Sequence, residues 1–389
     1  MPVDPTIRFK HLAAALGSAS LLAGASLAAA AELCAPIRQS GDFAAKLQKV
    51  DKGFSRADDI CYADGVRWSE RAPKGSGNVE LAQRFDYFRP TSADLSQKLP
   101  LVIWAHPSGE TENMPLPGPR FQKQVIPALE KNFAFMSIEF RHPVSSQLAP
   151  TNPPTPPQLD IPNTDITHAV QWVRAWADEL GIDPKNIFLM GQSRGTLSLL
   201  TALSPNMATS DGAPYMTQSS RVSAAWAVQA QTTYRKGQVR DTFIHPDDHK
   251  KFSNSYAEFI KPGSAIDQIS VNDPPLALRY EHAPTDPELK TVIPLHMPND
   301  DKTCSYADGC FDLHHPNFGL KLKLAFDAAY TSAGQKPTAS KFDIGYNVPP
   351  EYYFADQLTG RPYICFFVKH LTPAALTSQT TAALASCGL

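Results

Sequence analysis

The feature that most restricts the fold is an apolar run that ends in a glycine-flanked turn. Residues 187–190 have the sequence IFLM, and the pentapeptide GQSRG follows directly at residues 191–195. A short apolar run of this kind is typical of a buried strand. The next residues, TLSLLTAL at 196–203, can form a helix whose N-terminus faces the turn. The segment therefore predicts a strand, a tight turn and a helix, with Ser193 at the apex of the turn.

Ser193 stands in a Gly-x-Ser-x-Gly pattern, which favours a nucleophile. A serine hydroxyl becomes nucleophilic only where it projects towards a base and where N–H groups can hold the developing oxyanion. The turn that achieves this crowds its neighbours, and Gly191 and Gly195 carry no side chain that would clash. A structural glycine-rich turn is the alternative, but the strand before the pattern and the helix after it favour the nucleophile.

Residues 1–31 have the pattern of a secretory signal peptide. Arg8 and Lys10 precede a run of small and apolar residues that ends in three alanines before Glu32. A membrane anchor is the alternative, but the run is short and rich in small residues. We therefore expect a secreted or periplasmic protein whose mature chain, residues 32–389, forms a single domain.

Composition argues against nucleic acid and membrane as partners. The full chain has 36 basic and 38 acidic residues and a formal net charge of −2. Loss of residues 1–31 removes two basic residues and one acidic residue, which changes this charge from −2 to −3. A near-neutral surface is not typical of nucleic-acid-binding proteins. After the signal peptide no apolar run is long enough to cross a bilayer, so we expect no integral membrane segment.

Six cysteines in an exported chain predict up to three disulfides, although sequence alone does not determine the pairing. The expected pairs, beginning with the two cysteines that enclose a short loop, are Cys304–Cys310, Cys34–Cys61 and Cys365–Cys387. A metal site is the alternative, but the cysteines lack the repeated two-residue spacing of such sites.

Strand and helix patterns alternate along the rest of the chain. Apolar or alternating runs predict strands at 79–90, 101–106, 133–140, 222–230, 274–281 and 341–346. Other runs predict helices at 120–131, 163–180, 318–333 and 363–371. This alternation indicates an α/β fold with a mostly parallel central sheet flanked by helices. We expect the proline-rich segment 143–162 to be a surface loop near the site rather than a linker, and residues 235–273 to be a cap-like insertion.

The order of these motifs resembles that of the α/β-hydrolase superfamily, particularly its exported esterase/lipase branch of the acetyl-esterase type. The resemblance runs from about Arg84 to Leu371. Segment 104–109, WAHPSG, is similar to the loop in which that branch carries an oxyanion donor, and segment 366–371, FFVKHL, resembles its final helix. The pentapeptide around Ser193 is the specific part of the resemblance, which implies an α/β-hydrolase fold.

The resemblance also implies roles for individual residues. Ser193 would be the nucleophile, and the backbone N–H of Arg194 would be one oxyanion donor. Pro107 has no N–H, so Ser108 or Gly109 would supply the second donor. No cofactor and no metal is implied.

The general base is where the sequence departs from the family. The family's histidine follows the last strand, but residues 346–360 contain no histidine. The segment DLHHP at 312–316 precedes a predicted helix, where the family usually keeps its acid. We therefore predict Asp312 as the acid and His315 as the base, with His314 as the alternative base. A structural role for both histidines at the start of the helix is also open.

Further candidates stay open. Alternatives for the acid are Asp286, Asp300, Asp301 and Asp308, and weaker candidates for the base are His245, His249 and His296. His106 and His142 end neighbouring strands and are expected to line the pocket. His370 lies in the last predicted helix and is expected to pack or to face solvent, whereas Trp104 and Trp226 are expected in the core.

These observations predict a serine hydrolase that cleaves a carboxylic ester, of a small molecule or a polymer, through an acyl-enzyme on Ser193. The first alternative is cleavage of a carbon–carbon bond in a β-diketone, as in hydrolases of oxidised polyvinyl alcohol, which resemble this chain in fold and export. Both reactions begin with serine attack on a carbonyl. The second alternative is a hydrolase-fold binding or structural protein without catalysis, because the usual histidine is missing. An imidazole within hydrogen-bond reach of Ser193 discriminates that alternative.

Overall fold

A central β-sheet organises the chain. The computed structural model describes residues 33–50, 53–71, 78–141, 160–204, 214–232, 265–284, 314–338, 340–356, 358–372 and 378–389. In these ranges nine strands form the central sheet and two form a separate hairpin. The strands are β1 (Gln48–Val50), β2 (Phe54–Cys61), β3 (Arg67–Arg71), β4 (Asn78–Ala82), β5 (Arg84–Pro90), β6 (Leu99–Ala105), β7 (Ala134–Ile138), β8 (Ile182–Gln192), β9 (Ala224–Val228), β10 (Leu276–Arg279) and β11 (Phe342–Gly345).

The strand order across the sheet is β1-β2-β5-β7-β6-β8-β9-β10-β11. The strands from β7 to β11 in this order are parallel, whereas β1, β2 and β5 add antiparallel pairings at one edge. The expected mostly parallel sheet is confirmed. Strands β6, β7 and β9 are buried along their whole length, which explains their continuous apolar runs. Because carboxyl ends of parallel strands share an edge, the loops after β6, β7, β8, β9 and β10 meet there.

Helices cover both faces of this sheet. They are α1 (Asp42–Lys46), α2 (Ile126–Glu130), α3 (Asp160–Ala175), α4 (Ala177–Leu180), α5 (Ser198–Leu203), α6 (Asn317–Ser332), α7 (Ile364–Val368) and α8 (Ser378–Ser386). On one face Leu101 and Leu189 share a buried cluster with residues of α3, α5 and α6. On the other face Val102 and Phe188 share a second cluster with residues of α2, α7 and α8. Burial of apolar surface on both faces, at about 25 cal/mol per Å², favours this layered arrangement.

The largest difference from expectation lies before residue 79, where the sequence gives few signals. Strands β1 and β2 extend the central sheet there, and β3 pairs with β4 in the hairpin. Strand β1 has only three residues, none of them buried. Strand β2 contains a register shift between Ala57 and Ile60, which interrupts its two-residue alternation. Short or interrupted strands of this kind carry little periodic signal.

Some predicted elements have other limits in the structure. The strand expected at 79–90 is two strands, β4 and β5, separated at Gln83. The buried Gln83 side chain donates to Asp165 at 2.8 Å. The helix expected at 120–131 begins with the π-helical turn Phe121–Val125 before α2.

Two of the expected disulfides are confirmed. Cys34–Cys61 joins the N-terminal segment to β2, and Cys365–Cys387 joins α7 to the segment after α8. The expected Cys304–Cys310 pair lies outside the described residues, as do the signal peptide and most of the proline-rich and cap-like segments. Among the described helices, none combines the length and apolar character that a bilayer span requires.

Candidate active site

Ser193 occupies a strained turn at the end of β8. Its φ of +51° lies in the left-handed region that residues other than glycine rarely adopt. The 3₁₀-helical turn Ser193–Leu197 follows and continues into α5. A Cβ on Gly191 would lie 2.2 Å from the carbonyl oxygen of Gly195, and one on Gly195 would lie 1.9 Å from that of Ala105. Close backbone approach therefore requires both glycines.

A histidine lies beside the Ser193 hydroxyl. The Nε2 atom of His314 is 2.9 Å from Ser193 Oγ. His314 stands three residues before α6, and the first turn of this helix is tied to the segment that follows β9. The Thr232 hydroxyl donates a 2.5 Å hydrogen bond to the carbonyl of Phe318. An imidazole is thus within proton-transfer distance of the serine.

His315, the base predicted first, has a different partner. Its Nδ1 accepts a 3.1 Å hydrogen bond from the backbone N–H of Asn317, at the start of α6. Of the two adjacent histidines, the structure brings His314 to Ser193. Asp312 lies outside the described residues, and so do the other candidates, Asp286, Asp300, Asp301, Asp308, His142, His245, His249 and His296. The role of Asp312 stays a prediction.

The loop after β6 carries the predicted oxyanion donors at an exposed tip. Ser108 and Gly109 are exposed, whereas His106 before them and Glu112 after them are buried. Gly109 has a φ of +82°, which glycine adopts without strain. The exposed tip therefore lies between two buried side chains that can hold it in place.

A buried cluster of charged side chains lies beneath the turn and this loop. His106 Nε2 is 3.0 Å from Glu139 Oε1, and His106 Nδ1 is 2.9 Å from the carbonyl oxygen of Pro107. Nδ1 carries a proton, because a carbonyl oxygen can only accept. The Arg194 guanidinium lies against the imidazole, with Nη2 3.3 Å from each ring nitrogen. His106 is fully buried below the loop, so the expectation that it lines the pocket is wrong.

Glu112 and Arg84 extend this cluster. The Arg84 Nε atom is 2.8 Å from a carboxylate oxygen of Glu112. Burial, together with the neighbouring Glu139 carboxyl, raises the pKa of Glu112 from 4.5 to about 8. At neutral pH the Glu112 carboxyl is therefore mostly protonated and can donate a hydrogen bond to Glu139. Burial raises the pKa of the nearby Asp86 in the same way, to about 7.

On the other side of the turn, a chain of hydrogen bonds holds the residue before Ser193. Gln192 donates to the side-chain oxygen of Gln229 at 3.4 Å, and Gln229 donates to the Tyr353 hydroxyl at 2.9 Å. The Tyr353 hydroxyl in turn donates to Glu281 at 3.0 Å. Burial and the Glu281 carboxylate raise the pKa of Tyr353, so the hydroxyl keeps its proton. This chain positions the backbone at the start of the turn.

The surrounding residues Glu139, Glu112, Gln229 and Tyr353 were not predicted from the sequence. Glu139 offered a usable signal, because it is the one charged residue in the apolar run at 133–140. A charge in such a run is buried only with a partner, which marks it as part of a site or an ion pair. The other three stand in segments without a recognisable pattern.

Trp104 and Trp226 are buried in the core, as expected. His370 lies just after α7 and packs against Phe366, with ring centroids 4.8 Å apart. Burial lowers the pKa of His370 to about 4, so it is a neutral packing residue, as expected. Among the described residues, no group of three or more His, Cys, Asp or Glu side chains could hold a metal ion.

Sequence comparison finds one matching family. A sequence model of the BD-FAE family matches residues 85–287, just over half of the chain. The matched range contains the strained turn and the buried cluster apart from Arg84, whereas His314 lies beyond its end. No curated protein has a sequence similar enough to this chain to count as a match.

Several solved structures, esterases among them, are similar in fold. Esterase 2 of the planctomycete Thermogutta terrifontis, with bound butyrate, is 17% identical over 82% of this chain and 91% of that chain, with a TM-score of 0.45. A truncated carbohydrate esterase from gut microbiota is 17% identical over 82% of this chain and 97% of that chain, with a TM-score of 0.42. A bifunctional GH43-CE protein of Bacteroides eggerthii is 18% identical over 83% of this chain and 36% of that chain, with a TM-score of 0.48. These similarities are weak, and no residue role is transferred from them.

Proposed function

We propose that this chain, which belongs to the BD-FAE family of α/β-hydrolase-type esterases and is a serine hydrolase, cleaves a carboxylic ester through an acyl-enzyme on Ser193. The observation that carries this proposal is the 2.9 Å distance between Ser193 Oγ and His314 Nε2. A nucleophile needs a base at this distance, and the strained turn supports the same role for the serine. The same distance favours an enzyme over the alternative of a hydrolase-fold binding protein without catalytic activity.

The proposed reaction begins with proton transfer from Ser193 Oγ to His314 Nε2. The oxygen attacks the ester carbonyl, and the carbonyl oxygen takes up the negative charge. The N–H of Arg194 and that of Ser108 or Gly109 would hold this oxyanion. The protonated His314 then gives its proton to the leaving alcohol, and water releases the acyl group by the same steps in reverse. In this scheme His314 takes the role first predicted for His315, and Asp312 would orient it.

Export is a further part of the proposal. It is supported by the signal-peptide pattern of residues 1–31 and by two disulfides, which persist in oxidising compartments. The substrate would then be an ester outside the cytoplasm, of a small molecule or a polymer.

A labelling experiment tests the proposed nucleophile. The mature protein should react with a fluorophosphonate probe at one site and should hydrolyse p-nitrophenyl acetate and butyrate. Ser193→Ala should lose the label and the activity, because the attacking oxygen is gone. The matched control Ser96→Ala removes an exposed serine from the loop before β6 and should keep both. Peptide mapping locates the adduct.

The negative outcome is equally definite. Folded wild-type protein without label, and with the same turnover as Ser193→Ala on esters, would refute the esterase proposal. Turnover of a β-diketone but not of esters would instead leave Ser193 as the nucleophile and change the substrate class.

A further inference from the structure

We propose that Glu139 is the positioning residue of the oxyanion hole, because its carboxylate lies against the side chains that hold both halves of it. The inference rests on the proposed function, since it concerns how that reaction is stabilised. It assigns a role to a buried residue directly after β7.

Glu139 is itself held in place. It is almost fully buried, with 1% of its surface exposed. Its backbone N–H donates to the carbonyl of Arg84 at 2.8 Å, and its own carbonyl accepts a 2.6 Å bond from the Tyr62 hydroxyl. The backbone N–H of Phe140 donates to its Oε1 at 3.1 Å. The carboxylate therefore has a fixed place relative to the sheet.

The first half of the oxyanion hole is the loop tip at Ser108 and Gly109. Before the tip, His106 joins Glu139 Oε1 through Nε2 and the Pro107 carbonyl through Nδ1. After the tip, the buried Glu112 pairs with Arg84 Nε at 2.8 Å, and the Arg84 carbonyl accepts the backbone N–H of Glu139. Both ends of the loop are thus tied to Glu139, one directly and one through Arg84, and the two candidate amides lie between them.

The second half is the backbone N–H of Arg194. The side chain of Arg194 is buried beneath the turn, with Nη2 3.8 Å from Glu139 Oε1. Its guanidinium also lies 4.6 Å from the centroid of the Phe140 ring, the residue next to Glu139. A buried guanidinium needs a negative partner, so removal of the Glu139 charge should let this side chain move. Its own backbone amide would move with it.

The reacting oxyanion is sensitive to such movement. Loss of one oxyanion donor costs about 10²–10³-fold in kcat in other serine hydrolases, and a displacement that leaves both donors present should cost less, about 10–100-fold. The carbonyl oxygen of the bound ester carries little negative charge before Ser193 attacks, so KM should change much less than kcat. This split between kcat and KM separates a positioning role from general damage to the pocket.

The test compares Glu139→Ala and Glu139→Gln with Glu130→Ala, which removes an exposed glutamate at the end of α2. We expect Glu139→Ala to lower kcat on p-nitrophenyl butyrate by about 10–100-fold with KM within about threefold. Glu139→Gln keeps an acceptor for His106 and Phe140 but lacks the charge for Arg194, so it should lose about 5–10-fold. Glu130→Ala should behave like the wild type.

A second measurement uses an alkyl trifluoromethyl ketone. Ser193 Oγ adds to its carbonyl carbon, the serine proton passes to His314, and the carbonyl oxygen becomes an oxyanion in the hole. If Glu139 positions the hole, the inhibition constant of the ketone should rise in parallel with the fall in kcat/KM across the variants. Thermal unfolding checks that each variant is folded. If Glu139→Ala does not fold, the comparison of Glu139→Gln with the wild type decides the question.

Folded Glu139 variants with wild-type kcat would overturn the inference, and so would a fall in kcat without a rise in the ketone's inhibition constant. Both outcomes leave the proposed function intact as long as the wild type takes the fluorophosphonate label on Ser193. A wild type that takes no label refutes the proposed function, and the assignment of Glu139 then falls with it.

Discussion

Two adjacent histidines could serve as the base, and their hydrogen-bond partners distinguish them. His314 Nε2 lies 2.9 Å from Ser193 Oγ, whereas His315 Nδ1 accepts the N–H of Asn317. The first contact suits proton transfer and the second stabilises the N-terminus of α6. Substitution of each histidine should therefore affect different properties of the protein.

We expect His314→Ala to lower kcat by about 10⁴-fold or more, close to the effect of Ser193→Ala, because nucleophile and base act as a unit. The matched variant His315→Asn keeps an acceptor for the Asn317 N–H and should lose less than about tenfold. Steady-state kinetics on p-nitrophenyl butyrate measure both, with thermal unfolding as the check on folding. Near-normal turnover in His314→Ala would contradict the assignment, and an inactive but folded His315→Asn would return the role to His315.

At the scale of elements, α6 carries the histidine to the sheet. Its third residue, Gly319, lies against the end of β10: a Cβ there would be 2.2 Å from the Tyr280 ring and 2.8 Å from Ile344 Cδ1. The bond from Thr232 to the Phe318 carbonyl holds the same turn. The first turn of α6 thus lies close against the sheet, and we expect this contact to set the position of His314.

Gly319→Ala should therefore lower kcat by about 10–100-fold, because the added methyl pushes the first turn of α6 and His314 away from Ser193. An alanine in place of a helical glycine normally stabilises a helix by about 0.5–1 kcal/mol, so the expected loss runs against helix propensity. Ala328→Val, on the exposed face of the same helix, is the control and should keep its activity. Kinetics and thermal unfolding of the two variants provide the comparison, and wild-type kcat in Gly319→Ala would show that α6 does not set the position of the base.

At the scale of the whole molecule, the region around the loop after β6 contains more buried ionisable side chains than the apolar strands of the sheet suggest. Glu112 lies among Glu139, Arg84 and Asp86, which come from β7, β5 and their connections. Arg84, Asp86 and Glu112 also line a polar cavity of about 350 Å³. The folded state holds a proton on Glu112 that the unfolded chain releases at lower pH.

This proton makes stability depend on pH in a definite direction. The folded pKa of about 8 exceeds the ordinary 4.5, so between these values the folded state binds the extra proton. The contribution of Glu112 to the free energy of unfolding is therefore largest below about pH 4.5 and falls as pH rises towards 8. Glu112→Gln cannot lose a proton, so its stability relative to the wild type should increase from pH 5 to pH 8. Since one pKa unit corresponds to about 1.4 kcal/mol, the relative gain should be on the order of a few kcal/mol.

Urea unfolding at pH 5, 6, 7 and 8 measures this difference, with Glu130→Gln as the exposed control that should show none. A constant difference between Glu112→Gln and the wild type across this range would show that Glu112 is ionised in the folded protein throughout.

The sequence by itself determined the turn at Ser193 and the kind of sheet that carries it. The reasons are local. Gly191 and Gly195 are needed because neighbouring backbone atoms leave no room for a Cβ at these positions. Strands that are buried on both faces must be apolar throughout. Cysteines near each other along the chain also predicted two of the disulfides. Strands β1 and β2 were not predicted from the sequence, because β1 is very short and β2 is interrupted.

Only the tertiary structure decided which histidine meets Ser193 and which charges lie beneath the loop after β6. His314 and His315 are neighbours of the same side-chain chemistry, and only the folded chain shows that His314 meets Ser193 whereas His315 accepts the N–H of Asn317. The cluster around Glu139 joins side chains that follow three different strands, and these meet only once β6, β7 and β8 lie side by side. Such contacts depend on the relative placement of distant segments, which no local pattern of residues encodes.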